Sequence, residues 1–285
     1  MIRSRKDLGS ARRIVVKAGT QVLLSEDGFP SLGRIFALVE ALAALRRQGR
    51  EVLLVSSGAV GLGARRLGLK ARPGALALQQ ACAAVGQGEL MSLYQTAFGR
   101  LDTVCAQVLL TQEDFSEPER RDNLRATLGR LLKMGVIPVI NENDTVATLE
   151  LGRVKVFGDN DKLSALVAAG MGADLLLILS DVDGLHAANP HHHPRAPLLA
   201  EVAEVTPEIL ALARGGGARG RGGMATKLES AGLGMAAGVA VVIARGEQPG
   251  IVQSVVRGEA HGTLFLPGPR PGGDPLQLWL AEVDR

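Results

Sequence analysis

Six short clusters hold most of the residues able to do chemistry, and each adjoins an apolar run or a helical segment. In VVKAGT at 15–20, Lys17 stands where apolar residues give way to a glycine turn. A lysine there is either a strand-end side chain snorkelling to water or a point charge aimed at phosphate. In SSGAVGLG at 56–63, the small residues Ser57, Gly58 and Ala59 lead into a helical stretch. Free backbone amides at such a start hold a carboxylate or phosphate, and the plainer alternative is an ordinary serine N-cap. NENDT at 141–145, with Asp144, offers acceptors and a negative charge suited to an ammonium group, or else an Asx turn. FGDNDK at 157–162 leads Asn160 and Asp161 into a further helical segment, which either of them can simply cap. Ser180 and Asp181 close another apolar run and suit nucleotide contact, a weak signal alone. Finally Arg221, Gly222, Gly223, Met224, Ala225, Thr226 and Lys227 bring bare amides and a cation to a helix start. That is a phosphate cradle by construction, set against a flexible loop with an incidental lysine.

The elements that must position these clusters are legible in the apolar pattern. Short aliphatic runs at 14–16, 52–55, 104–110, 137–140, 175–179 and 239–244 have strand length. Between them, helical periodicity covers 32–48, 75–98, 121–134, 162–171, 207–213 and 226–237. The alternation predicts βαβ units with helices on both faces, and strands without polar alternation suit a mainly parallel sheet covered on both sides. The expected fold is thus a three-layer α/β/α sandwich, one domain with two lobes. In such sheets ligands bind beyond the carboxyl ends of the strands, where most of the clusters lie. Residues 183–197 and 215–223 read as mobile surface loops.

Composition narrows the partners. At 285 residues, 46% hydrophobic and 21% charged, the chain is ordinary for a globular protein, while 36 Gly and 3% aromatics indicate tight loops and an aliphatic core. The formal charge of +3 is dispersed and has no aromatics beside it to stack bases, so nucleic acid is not an expected partner. Only Cys82 and Cys105 occur, each in an apolar stretch, which reads as two buried thiols in a reducing compartment. The apolar run behind the basic N-terminus is too short for a signal peptide, and no run reaches membrane-helix length; a cytoplasmic protein is expected. P-loop, protein-kinase and zincin motifs are missing. GGGARG at 215–220 matches a dinucleotide fingerprint but follows a helical segment, not the first strand. His191, His192 and His193 sit in a Pro-rich loop and read as solvated, so no metal site is assigned.

Taken together, VVKAGT, SSGAVGLG, PVINENDTVAT at 138–148, FGDNDKLSALVA at 157–168 and GGMATK at 222–227 resemble the amino acid kinase superfamily, and within it the glutamate 5-kinase family. The resemblance covers about residues 13–266, and the NEND and GDND pair in this order is its most specific part. It implies a carbamate kinase-like fold over residues 1–267, with an N-terminal lobe for the amino acid and a C-terminal lobe for ATP. A short tail, 268–285, would follow without the RNA-binding-like PUA domain that many members carry. It also implies that Lys17 and Lys227 contact the ATP phosphates and that Asp161 holds them. Ser57, with Gly58 and Ala59, and Asp144 and Asn160 would bind L-glutamate. Ser180, Asp181 and the segment from Arg221 to Lys227 would bind ATP. Mg²⁺, a homodimer or homotetramer, and feedback by proline follow from the same kinship. Ala18, Arg121, Ser180 and Arg221 depart from the family's usual residues; Arg221 puts the nucleotide grip in question and Arg121 the glutamate-side helix.

The chemistry suits these residues. A carboxylate with a pKa near ~4.3 is ionised at neutral pH, so its attack on phosphorus needs no general base. The difficulty is bringing it to a polyanion, which calls for positioning and charge neutralisation. Rival readings are a kinase of the same superfamily acting on aspartate, acetylglutamate, carbamate or a nucleoside monophosphate, and a non-catalytic nucleotide-binding protein on the same fold.

Overall fold

The computed structural model describes residues 2–25, 27–71, 73–146, 160–190, 193–213 and 223–269. After a 3₁₀ turn at Arg5–Ser10 come β1 (Arg13–Ala18), α1 (Thr20–Leu23), α2 (Leu32–Arg47), β2 (Glu51–Ser56), α3 (Ala59–Arg66) and α4 (Leu76–Gly99). Next are β3 (Cys105–Leu110), α5 (Glu113–Ser116), α6 (Pro118–Lys133), β4 (Ile137–Glu142), α7 (Asn160–Gly170) and β5 (Leu175–Ser180). The chain continues through β6 (Glu201–Val202), α8 (Pro207–Leu212), α9 (Met224–Ala236), β7 (Ala240–Arg245), α10 (Ile251–Val256) and β8 (Thr263–Phe265). All six expected strands and all six expected helices form, close to their expected bounds. α6 starts earlier because Pro118 occupies its first turn, where the missing N–H is harmless, and Arg130 and Lys133 complement its C-terminal dipole.

The strands form one sheet in the order β3-β4-β2-β1-β5-β7-β8-β6. Every pairing is parallel except β7 with β8. Side chains alternate across the pleat and build two cores. Ile14, Val16, Leu54, Leu177 and Val242 face a layer made by α2, α4 and α10, whereas Val15, Leu53, Val55, Leu176, Ile178 and Val241 face α6, α7 and α9. This is the three-layer sandwich the pattern predicts, and burying each such aliphatic side chain contributes about 1.5–3 kcal/mol. Because Ala18 pairs with both Ser56 and Leu179, the central strands end level with one another.

Two glycines set one wall of that edge. A Cβ on Gly63 of α3 would lie 1.8 Å from the Cys82 carbonyl oxygen, and one on Gly86 of α4 would lie 1.9 Å from that of Ala59. The two helices therefore touch backbone to backbone, which seats the N-terminus of α3 rigidly. Gly58, just before it, has φ +107°, a conformation that L side chains rarely adopt.

Two expectations change. Cys82 is buried but Cys105, on edge strand β3, is only half-buried, because the edge lacks a neighbour on one side. The described parts of segment 183–197, which are 183–190 and 193–197, are irregular yet anchored: Leu185 is buried, and backbone bonds join Ala187 to Pro197 and Leu199 to Leu185. His193 is exposed there. Residues 147–159, 191–192, 214–222 and 270–285 lie outside the described residues, and with them Asp159, His191, His192, GGGARG at 215–220, Arg221, Gly222 and the C-terminal tail.

Candidate active site

Lys17 has the pleat parity of Val15 and so projects toward α7, whose first turn carries Asp161. Lys227, on α9 beside α7, reaches the same group. The Lys17 Nζ lies 2.6 Å from Asp161 Oδ1 and the Lys227 Nζ 3.1 Å from Oδ2. Asp161 is fully buried, and the two lysine side chains are 5% exposed, so neither lysine is a snorkelling surface residue. The carboxylate sits at the N-terminal end of α7, where the helix dipole favours negative charge. Two ammonium groups thus share one carboxylate in a nearly closed site. Gly19 keeps the place open, since a Cβ there would come within 3.3 Å of the Lys17 ammonium.

Beside the ionic cluster lies a chain of amides. Asn160 Nδ2 donates its two hydrogens to the Ser56 carbonyl at 2.9 Å and to Asn141 Oδ1 at 2.8 Å, and shares one of them with Ser57 Oγ at 3.1 Å. Asn141 Nδ2 in turn donates to Gln87 Oε1 on α4 at 2.9 Å. These long-range bonds displace the plainer local alternatives. Ser57 is not an N-cap, because Gly58 takes that position with no side-chain cap bond. Asn160 does not cap α7; it is the first residue of the helix and its side chain bridges to β2 and β4. In the NEND cluster the local turn belongs to Asn143, whose Oδ1 accepts from Thr145 at 2.6 Å. Asp144 follows in the same turn, half-buried, beyond the end of β4.

Beneath Ser57, the Ser56 hydroxyl lies 2.8 Å from the Tyr94 hydroxyl and also donates to the Ser57 carbonyl at 3.3 Å. Tyr94 is thus the donor of that pair, consistent with burial holding its phenol pKa well above the usual value, with Ser56 opposing and Cys105 adding to the rise. On the other flank, the Ser180 hydroxyl donates to Asp181 Oδ1 at 2.8 Å, and the Ser180 carbonyl accepts from Gly246 at 2.7 Å. Gly223 is the N-cap of α9 and, being glycine, brings no capping side chain to the first turn that begins at Met224. Thr226 Oγ1 turns back to the Gly223 carbonyl at 2.9 Å.

The structure therefore brings Lys17, Ser57, Asn160, Asp161 and Lys227 together, with Gly58 and Ala59 at the α3 start, Asp144 and Ser180–Asp181 on neighbouring strand ends, and Gly223 leading into Lys227. Sequence reasoning assigned no role to Gln87 or Tyr94, whose signals are those of a helix interior, and none to Asn141 individually within its cluster. Arg121 is buried on the side of α6 that faces Val167 of α7 and Met171 just after it, with Phe115 and Leu124 around it. No three His, Cys, Asp or Glu side chains cluster among the described residues.

A mainly parallel sandwich thus brings two lysines onto one buried carboxylate near the carboxyl ends of its strands, and comparison with known proteins identifies its class. The sequence model of the Amino acid kinase family matches residues 12–245, so the chain belongs to that family. It is similar to the glutamate 5-kinase of Gloeobacter violaceus, 51% identical over 261 residues, which are 91% of this chain and 69% of that one. To the glutamate 5-kinase of Listeria monocytogenes serovar 1/2a it is 46% identical over 262 residues, 92% of this chain and 95% of that one. Among solved structures, UMP kinase from Bacillus anthracis shares the fold, with a TM-score of 0.60 and 16% identity over 90% of this chain and 96% of its own.

Proposed function

We propose that this chain transfers the γ-phosphoryl group of ATP to the side-chain carboxylate of L-glutamate, forming L-glutamyl 5-phosphate, the first step of proline biosynthesis. The convergence of Lys17 and Lys227 on Asp161 beside the hydrogen-bonded amides of Asn160, Asn141 and Gln87 carries the reading, and kinship with glutamate 5-kinases supports it. A glutamate carboxylate oxygen forms the new bond to the γ-phosphorus while the bond to the β,γ-bridging oxygen breaks and ADP leaves; no proton is transferred. Asp161 holds the two ammonium groups at one point before ATP arrives, so little reorganisation remains when charge spreads over the transferring oxygens. The first-turn amides of α9, together with Ser180, Asp181 and the segment through Arg221 and Gly222, hold the nucleotide. Ser57, Gly58, Ala59, Asp144 and Asn160 hold glutamate, so the two substrates meet between an N-terminal amino-acid lobe and a C-terminal nucleotide lobe. Mg²⁺ arrives with the triphosphate as part of that substrate. A homo-oligomer inhibited by proline belongs to the same reading and rests on kinship alone, and a cytoplasmic location accords with it.

The test is ADP release across a panel of amino acids with hydroxylamine present to trap an acyl phosphate. A hydroxamate formed with L-glutamate and not with aspartate or acetylglutamate is the expected result. ADP release indifferent to the acid, or a hydroxamate from another acid, overturns the assignment.

A further inference from the structure

The amide chain behind the pocket has a direction, and its fixed ends determine it. An amide's nitrogen and oxygen are interchangeable in shape, but a backbone carbonyl only accepts and a backbone N–H only donates. The Ser56 carbonyl requires the Asn160 atom 2.9 Å away to be Nδ2, and that donor requires the Asn141 atom 2.8 Å from it to be Oδ1. The Glu142 backbone N–H reaches the same Asn141 oxygen at 2.9 Å and fixes it independently. Asn141 must then offer Nδ2 to Gln87, which accepts with Oε1. Two consequences follow for the pocket. Asn160 keeps Oδ1, an acceptor, as its remaining polar atom, and the Ser57 hydroxyl, which accepts from Asn160, keeps its own O–H to donate. Acceptor and donor side by side match the ammonium and carboxylate of an amino acid.

Gln87 closes this chain at its far end. It is only 9% exposed, and its Nε2 has no partner among the described residues. A buried donor without an acceptor is unfavourable, and a core position serving stability alone is better filled by an apolar side chain of the same volume. Its neighbour Gly86 packs against Ala59, so the same turn of α4 touches both the α3 start and, through Gln87, the end of β4.

We propose that Gln87 is a positioning residue for the amino-acid substrate, acting through Asn141 to hold Asn160 and Ser57 in the orientation that receives it. The inference rests on the glutamate-phosphorylation reading. Without the Gln87 acceptor, the Asn141 oxygen keeps Glu142 and Asn160 but its Nδ2 loses the bond that anchors the amide from the other side, so the position it sets for Asn160 loosens.

The experiment compares wild type, Gln87→Met, Asn141→Ala and the double variant in steady-state hydroxamate assays, with glutamate and ATP varied separately. Gln87→Met should raise the glutamate KM about tenfold, the scale of one buried hydrogen bond, and leave the ATP KM within about twofold. Because Gln87 works through Asn141, adding Gln87→Met to Asn141→Ala should raise the glutamate KM no further. An unchanged glutamate KM, an equal rise in both KM values, multiplicative effects in the double variant, or a Gln87→Met chain that does not fold each overturns the proposal. Absence of glutamyl hydroxamate from wild type instead sinks the reading on which it rests.

Discussion

Replacing Asp161 with Asn tests the arrangement at its centre. The substitution keeps shape and removes one charge, leaving two ammonium groups buried without their shared counter-ion. At an effective dielectric of about 20, separations of 2.6 and 3.1 Å correspond to gross attractions of roughly 6 and 5 kcal/mol. Desolvation of three charges and repulsion between the two lysines cancel much of this, and removing one partner from a buried pair usually costs about 3–5 kcal/mol. Because both lysines lose the carboxylate they share, the cost lies near about 5 kcal/mol, which at about 2–4 °C per kcal/mol is a fall in Tm of roughly 10–20 °C. Lys17→Met and Lys227→Met each leave one lysine paired with Asp161, so each should melt higher than Asp161→Asn even though all three lower kcat by orders of magnitude. Saturating ATP, which supplies the missing negative charge, should narrow the gap between Asp161→Asn and wild type. The assay is thermal melting of the four proteins with and without nucleotide. An Asp161→Asn chain melting within about 2 °C of wild type, or above either lysine variant, refutes the reasoning.

Two further perturbations follow from contacts outside that cluster. Gly86→Ala drives a Cβ to 1.9 Å from the Ala59 carbonyl, a backbone clash that cannot be relieved by rotating a side chain, so stability should fall by about 3 kcal/mol or more and the glutamate KM should rise; Gly88→Ala in the same helix meets nothing within 4 Å and should be neutral or stabilising by up to about 1 kcal/mol, as denaturant titration of both will show. His186 accounts for a pH dependence in the loop after β5: burial disfavours its charged ring, but the Ala196 carbonyl at 2.7 Å and Asp183 at 2.9 Å outweigh that and raise its pKa above the ordinary 6.5. Burial likewise opposes Asp183, yet the hydrogen bonds from His186 and its own backbone, with the charges of His186 and Arg245, lower its pKa below 3.8. A raised histidine contributes its stability below pH 6.5 and loses it as pH rises through the higher folded value, while a lowered aspartate contributes above pH 3.8 and loses it in acid. The Tm difference between wild type and His186→Gln should therefore be largest between about pH 4 and 6.5 and shrink toward pH 8; a difference constant with pH contradicts the pairing.

The sequence by itself determined the sheet's central strands, because parallel strands covered on both faces must be continuously apolar, and runs such as LLLIL at 175–179 admit little else. It determined the long helices through their period, and it placed the polar clusters at the strand ends, since a buried strand cannot carry NEND or SSG in its middle. What it left open were the elements too short for a period. IVQSVV at 251–256 is rich in β-branched residues, yet it forms α10 because burying Ile251, Val252, Val255 and Val256 against the sheet outweighs their weak helix preference. β6 and β8 are two and three residues long and exist only as additions to the edge at β7. The site divides in the same way. Lys17, Asp161 and Lys227 stand out as charged residues at the edges of apolar segments, but only the packing of α7 and α9 on one face of the sheet brings two lysines to one carboxylate. Gln87 carries no local signal at all, because its meaning lies in a partner 54 positions away, and a hydrogen bond between a helix and a strand end is made by the fold that joins them.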